Sequence, residues 1–289
     1  MSSVAVRYRN PRHRATSVHL AALRLSAKLG LLAVASHILG ALFPKRDVDV
    51  QMGNGRWLTV PAYDPYWSSI LVGKDYEPGV GAIIEMALEA EPDAVLFDCG
   101  ANIGYWSTAV CDRTAAIAVE AVPSTYSRLE RNAEQNGFVA IHAAIWDVPG
   151  TTVPITWTPR LHYAASVTNT RGKHTVDVST ATLGQLADRY ASDRPIVVKL
   201  DVEGAEARAL GGASACTDRC LFVYEDHGSD REHQATRAFL EAGFQIWHVD
   251  ASPRPIEDVG DLDEIKRNTI DGYNFMACRG PTWSQLLRR

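Results

Sequence analysis

An apolar run, Val95-Leu96-Phe97, ends on Asp98 and turns at once through Cys99-Gly100-Ala101-Asn102-Ile103-Gly104. Glycines there permit a tight turn and close approach of the backbone to a ligand, which is how a nucleotide-type cofactor site begins. The spacing is G-x-N-x-G, neither the dinucleotide G-x-G-x-x-G nor a P-loop. An acid at the strand end suits a ligand that carries a positive charge and a ribose. A pyrophosphate would favour lysine or a bare helix N-terminus. A βα turn that serves packing alone remains the plain alternative for this corner taken by itself.

Three further strand ends carry polar chemistry. Glu120 closes an apolar run about 20 residues past Asp98, the separation at which an acid accepts the hydroxyls of a ribose in dinucleotide folds. S-adenosylmethionine, cationic and ribose-bearing, fits both acids. Lys199-Leu200-Asp201-Val202-Glu203-Gly204-Ala205-Glu206 gathers three carboxylates at one strand end. They suit a site, and they equally suit a helix cap with a complemented dipole. Tyr224-Glu225-Asp226-His227 ends the next strand, and His227, whose ordinary pKa lies near neutrality, is the leading general-base candidate. Ala143, after the third strand, leaves room for an adenine ring.

These residues must be held by alternating strands and helices. Strands are expected at 94–98, 115–120, 138–145, 196–200, 221–224, 245–249 and 273–278, with helices at 103–111, 124–136, 182–190, 205–210 and 231–242. Such alternation means a parallel sheet, and ligands bind outside the carboxyl ends of its strands. Before it, Val48 to Met52 and Arg56 to Val60 flank Gly53-Asn54-Gly55 as a hairpin. Residues 1–46 form a basic arm and an apolar helix, 47–92 a hairpin and helix leading into the core, and 93–289 the catalytic domain. Within the last, residues 151–180 are the candidate substrate loop, where Trp157, His162 and Tyr163 are of the types that stack on and grip sugar rings.

With 46% hydrophobic residues in 289, the chain can bury one large α/β core. A net charge of −5 argues against a general nucleic-acid binder. Five cysteines, odd in number and mostly in apolar runs, argue against a disulfide framework and for a reducing compartment. Cys216 and Cys220 with His227 nearby lack a second close pair, so no metal is expected. The stretch from about Ser17 to Phe43 is helix-prone, and its uncharged part is shorter than the ~20 residues needed to span a bilayer. A cytoplasmic protein is expected, with residues 17–43 available for an inner membrane surface, a dimer contact or the chain's own core.

Together these residues resemble the FkbM-type S-adenosylmethionine-dependent methyltransferases, a class I group. The resemblance runs from about Asp64 to Cys278. It rests on Tyr76-Glu77-Pro78, on Phe97 to Gly104, on Glu120-Ala121-Val122-Pro123, on Leu129 and Asn132 with Asn136, and on Lys199 to Glu206. It implies a Rossmann-like α/β fold whose mostly parallel, seven-stranded sheet has order 3-2-1-4-5-7-6, helices on both faces and an antiparallel last strand. It also implies S-adenosyl-L-methionine as cofactor and methyl transfer, usually to a hydroxyl oxygen. Carried over, Asp98, Gly100, Asn102 and Gly104 would surround the methionine part, with Glu77 also on the cofactor. Glu120 would take the ribose, and Asp201 the floor between donor and acceptor, with Glu203 towards the substrate. The expected acceptor is a small molecule, a saccharide or glycolipid, with a polyketide-type product as alternative. A non-catalytic interaction protein on the same fold is the rival of another class.

Overall fold

The computed structural model describes residues 8–9, 14–42, 46–157, 174–249, 253–268 and 272–284. Strands β1 (Tyr8–Arg9), β2 (Asp47–Gln51) and β3 (Trp57–Pro61) make a small antiparallel sheet, with Gly55 at φ +81° in the expected hairpin turn. Helices α1 (Arg14–Lys28) and α2 (Leu32–Leu42) replace the single helix expected over 17–43. The break is Gly30 at φ +73°. Leu31 N–H reaches back to Ser26 O there, the left-handed glycine stop that ends many helices. Next come α3 (Ser68–Leu71) and α4 (Pro78–Ala90).

The core then alternates as expected. β4 (Val95–Cys99), α5 (Tyr105–Val110), β5 (Ala116–Glu120), α6 (Pro123–Asn136) and β6 (Val139–His142) form the first half. A second small sheet follows from β7 (Ala144–Ile145), β8 (Thr152–Trp157) and β9 (His174–Ala181). The other half runs α7 (Leu183–Leu186), β10 (Ile196–Leu200), α8 (Glu206–Gly211), β11 (Cys220–His227), α9 (Gln234–Glu241), β12 (Gln245–His248), β13 (Arg254–Ile256), α10 (Asp261–Ile265), β14 (Gly272–Cys278) and α11 (Pro281–Ser284).

Across the main sheet the order is β6-β5-β4-β10-β11-β14-β12-β13. Counted from β4, its first seven strands run 3-2-1-4-5-7-6, as the resemblance implies, with β14 antiparallel. The eighth strand, β13, was not expected. It is a three-residue edge strand carrying Pro255, a residue that a sheet tolerates only where a neighbour's ladder does not need its N–H. The single strand expected over 138–145 is divided at Ala143. Ala143 N–H bonds Glu120 O, and the chain then leaves β5 to pair with β9.

β4, β5 and β10 are buried along their whole length, so each needs apolar cover on both faces. One face packs on α4, α5, α6 and the β2–β3 hairpin, the other on α7, α8 and α9. The motif asparagines act as staples. Asn132 accepts from Thr59 N–H at 2.8 Å and donates to Ile103 O at 2.7 Å, and Asn136 donates to Trp57 O, fastening the small sheet to the glycine corner.

Candidate active site

β4 and β10 are neighbours where the strand order reverses, the place where open α/β sheets bind ligands. Asp201 N–H donates to Cys99 O at 3.0 Å and joins the two strand ends. Gly100 sits at φ +76°, and a Cβ added there would stand 1.7 Å from Asp201 O. Only glycine allows the two loops to approach so closely. Asn102, at φ +51°, donates its N–H to Glu120 Oε2 at 2.9 Å, while Val122 N–H donates to Oε1 at 2.8 Å. Glu120 is thereby aimed into the cavity with acceptor capacity left on each oxygen. Burial pushes its carboxyl up to about 7, against the pull of those two backbone donors.

Asp98 and Gly104 occupy other positions than expected. Asp98 is fully buried and does not line the cavity. Its Oδ2 accepts from Ser107 N–H and Oγ at 3.1 and 2.8 Å, which ties the first turn of α5 to the strand end. A Cβ at Gly104 would lie 2.7 Å from Leu129 Cδ1 and 3.0 Å from Phe138, so this glycine admits α6 and the segment behind it rather than a ligand.

The cavity is also lined by a buried cation, Lys199, whose Nζ is 2.6 Å from Asp201 Oδ2. Burial alone would lower its pKa. The carboxylates of Asp201, Glu77 and Asp98 more than offset that and hold it protonated. Glu203, at φ +55°, also lines the cavity, and its carboxyl is pushed up to about 10 by burial and by Asp201, Glu225 and Glu206. Glu206 instead accepts from Val202 and Gly204 N–H and shapes the loop. Glu77, left-handed at φ 41° just ahead of α4, is raised by burial and partly relieved by Lys199, and it does not line the cavity.

The lining also includes an aromatic wall that the sequence reading did not assign to the site: Tyr66, Trp67, Tyr76, Tyr105 and Trp106. Tyr66 and Tyr76 share a hydrogen bond between their hydroxyls, and Tyr76 lies 5.2 Å from Tyr105, edge to face. Burial raises both phenols of the first pair, which keeps them as proton donors. The cavity spans about 840 Å³ of non-atom space, with the open solvent at its mouth included. A lysine in the otherwise apolar Ile196 to Leu200 was the available signal for these carboxylates, since a buried cation requires partners.

Of the other expected residues, Ala143 lines the cavity and His227 does not. His227 Nδ1 accepts from Ser229 N–H at 3.1 Å and meets Ser229 Oγ at 2.7 Å, so the ring is engaged in a local turn and is not among the residues lining the cavity. His227→Ala is accordingly expected to leave kcat/KM within about twofold of the parent, as for a surface substitution. A much larger fall in steady-state turnover would return the imidazole to the site. Trp157 stacks on His174 across the β8–β9 hairpin, and it is Ile155 of that hairpin that reaches the cavity. His162 and Tyr163 lie outside the described residues. Cys216 and Cys220 are buried free thiols.

The signature of the methyltransferase FkbM domain matches residues 98–246, just over half of the chain. The chain belongs to this family. Within the FkbM family it is a methyltransferase, and its methyl donor is S-adenosyl-L-methionine. A curated relative, the hexuronic acid methyltransferase AglP of Haloferax volcanii, is 28% identical over 173 residues, 55% of this chain and 67% of AglP. Among solved structures, TYW2 of Pyrococcus horikoshii aligns with a TM-score of 0.41 and 13% identity over 81% of this chain and 71% of its own. Precorrin-6y C5,15-methyltransferase of Geobacter metallireducens aligns with a TM-score of 0.38 and 12% identity over 69% and 88%. The family match and the strand order, not these two likenesses, carry the assignment. The residues present fit the FkbM cofactor: Gly100 lines the cavity with bare backbone, Asn102 Oδ1 is buried with no hydrogen-bond partner among the described residues, and Glu120 faces inward.

Proposed function

We propose that this methyltransferase acts on a hydroxyl oxygen of a saccharide, free or as the sugar end of a glycolipid. The observation that carries the reading is a cavity lined together by the rings of Tyr66, Trp67 and Tyr76 and the carboxyl groups of Asp201 and Glu203. Aromatic faces cover the C–H face of a sugar ring, and carboxylates accept its hydroxyls. The sugar-directed name of AglP supports the same class of acceptor.

The cofactor, when bound, supplies an electrophilic methyl group on a cationic sulfur. Glu120 would hold its ribose, with the cavity-lining backbone of Gly100 and the Asn102 side chain beside it. Asp201 is our candidate base: it lines the cavity, and Lys199 fixes one of its oxygens. The aromatic wall excludes water and orients the acceptor, and orientation alone contributes ~7–11 kcal/mol to such reactions. The test is mass spectrometry of neutral hexosides, hexuronides and phenolic alcohols after incubation with methyl-labelled cofactor. Label on a sugar hydroxyl is the expected result, and label confined to the phenols would overturn the saccharide reading.

A further inference from the structure

We propose that helices α1 and α2 form a docking face for an anionic lipid surface. On α2 and just ahead of it, Leu31, Val34, Ile38 and Leu42 are exposed at 55–74%. Leu32 and Leu39 pack inward on the core. On α1 and just past its end, Val18, Leu25 and Leu29 are exposed at 58–64%, while Leu20 and Leu23 are buried. Spacings of three, four and seven place each set on one side of its helix. Seven large apolar side chains on one hairpin of helices exceed the scattered exposure that a monomer carries without a partner.

Charge selects the occupant. Eight of the chain's 29 Lys and Arg residues fall in the first 46 positions, and none of its 34 Asp and Glu do, although the whole chain is acidic at −5. An apolar stripe among cations suits the headgroup boundary of an anionic bilayer, which takes the apolar side chains and attracts the basic ones. A symmetric pair of copies would bring the same basic segment against itself, because such an interface pairs one patch with its own image. Among the described residues no helix is long and apolar enough to cross a membrane, so the contact is made from the surface.

The helix pair is also joined to the segment that leads into the cavity wall. α2 approaches the turn ahead of the aromatic wall so closely that a Cβ at Gly40 would stand 2.3 Å from Tyr63 O. Tyr66 and Trp67 follow directly on that turn and line the cavity. A sugar carried on a lipid would thus meet the aromatic wall beside the bilayer. That last step rests on the saccharide reading, whereas the docking itself does not.

The test is flotation of the full chain with phosphatidylglycerol-containing vesicles and with pure phosphatidylcholine vesicles. The protein is expected to float with the first and remain below with the second. Val34→Asp combined with Ile38→Asp should lower vesicle affinity at least about tenfold, since binding scales with the apolar area inserted. Lys28→Glu, at an exposed site, should weaken it with the stripe intact. Thermal shift by S-adenosylhomocysteine should be unchanged in both variants. Wild type that stays below with both vesicles would overturn the proposal. So would flotation undiminished in the double variant, or a lipid-free dimer that the double variant dissociates. None of these readouts involves methyl transfer, so failure here is distinct from failure of the acceptor assignment.

Discussion

Asp201→Asn is expected to lower kcat towards a hydroxyl acceptor by roughly 10²–10⁴-fold, the range that a placed base contributes. A sugar hydroxyl must lose its proton as its oxygen takes the methyl. Among the residues that line the cavity, Asp201 is the carboxylate held by a protonated lysine, with Nζ at 2.6 Å. Glu203 beside it is raised by burial and by the neighbouring acids, which favours its protonated form and makes it the poorer base. Asparagine keeps the shape and still offers an oxygen to Lys199, so the loop joined through Asp201 N–H to Cys99 O should persist. Single-turnover rates measured with the cofactor saturating will show the fall. Undiminished turnover would mean that the acceptor arrives already ionised, as a carboxylate does, and would overturn the base assignment.

Glu120→Ala is expected to weaken cofactor binding by about 100-fold or more, since hydrogen bonds to a charged group contribute roughly 1.5–3 kcal/mol each. The substitution also strips Asn102 and Val122 N–H of their shared acceptor and loosens the corner itself. A pH dependence follows from the same residue. Burial raises the Glu120 carboxyl to about 7, so it must ionise to accept ribose hydroxyls best. Affinity should therefore rise with pH up to about 7, by as much as tenfold per pH unit, and level off above. For the ligand-free protein the sign is opposite. The protonated form favours the fold, so this contribution is full below the unfolded carboxyl's value and is lost as pH rises through about 7.

The glycine corner and the strands themselves were legible because each rests on a local constraint, whereas the strand order came only with the family resemblance. Gly100 is required by a left-handed turn against Asp201 O, and the buried strands read as unbroken apolar runs. Glu120 was legible from its distance along the chain. The direction of a side chain at a strand end was not. His227 closes β11 as expected, yet turns to Ser229, and Asp98 ends β4 yet caps α5. Likewise Gly104 and Asn132 belong to recognisable motifs whose work is packing. The aromatic wall was hidden because Tyr66 and Trp67 come from a short turn ahead of α3 and Tyr105 and Trp106 from α5, residues that only tertiary packing brings together. Without periodicity or fixed spacing, such a wall leaves no local pattern to read.

The central claim is that the cavity between β4, β5 and β10 holds the methyl donor with Glu120 on its ribose. Calorimetric titration of S-adenosylhomocysteine into the parent and into Glu120→Ala, across the pH range around 7, tests it most directly. The expected result is an affinity that climbs with pH in the parent and is about 100-fold weaker and nearly pH-independent in the variant. Equal affinity in the two proteins would contradict it.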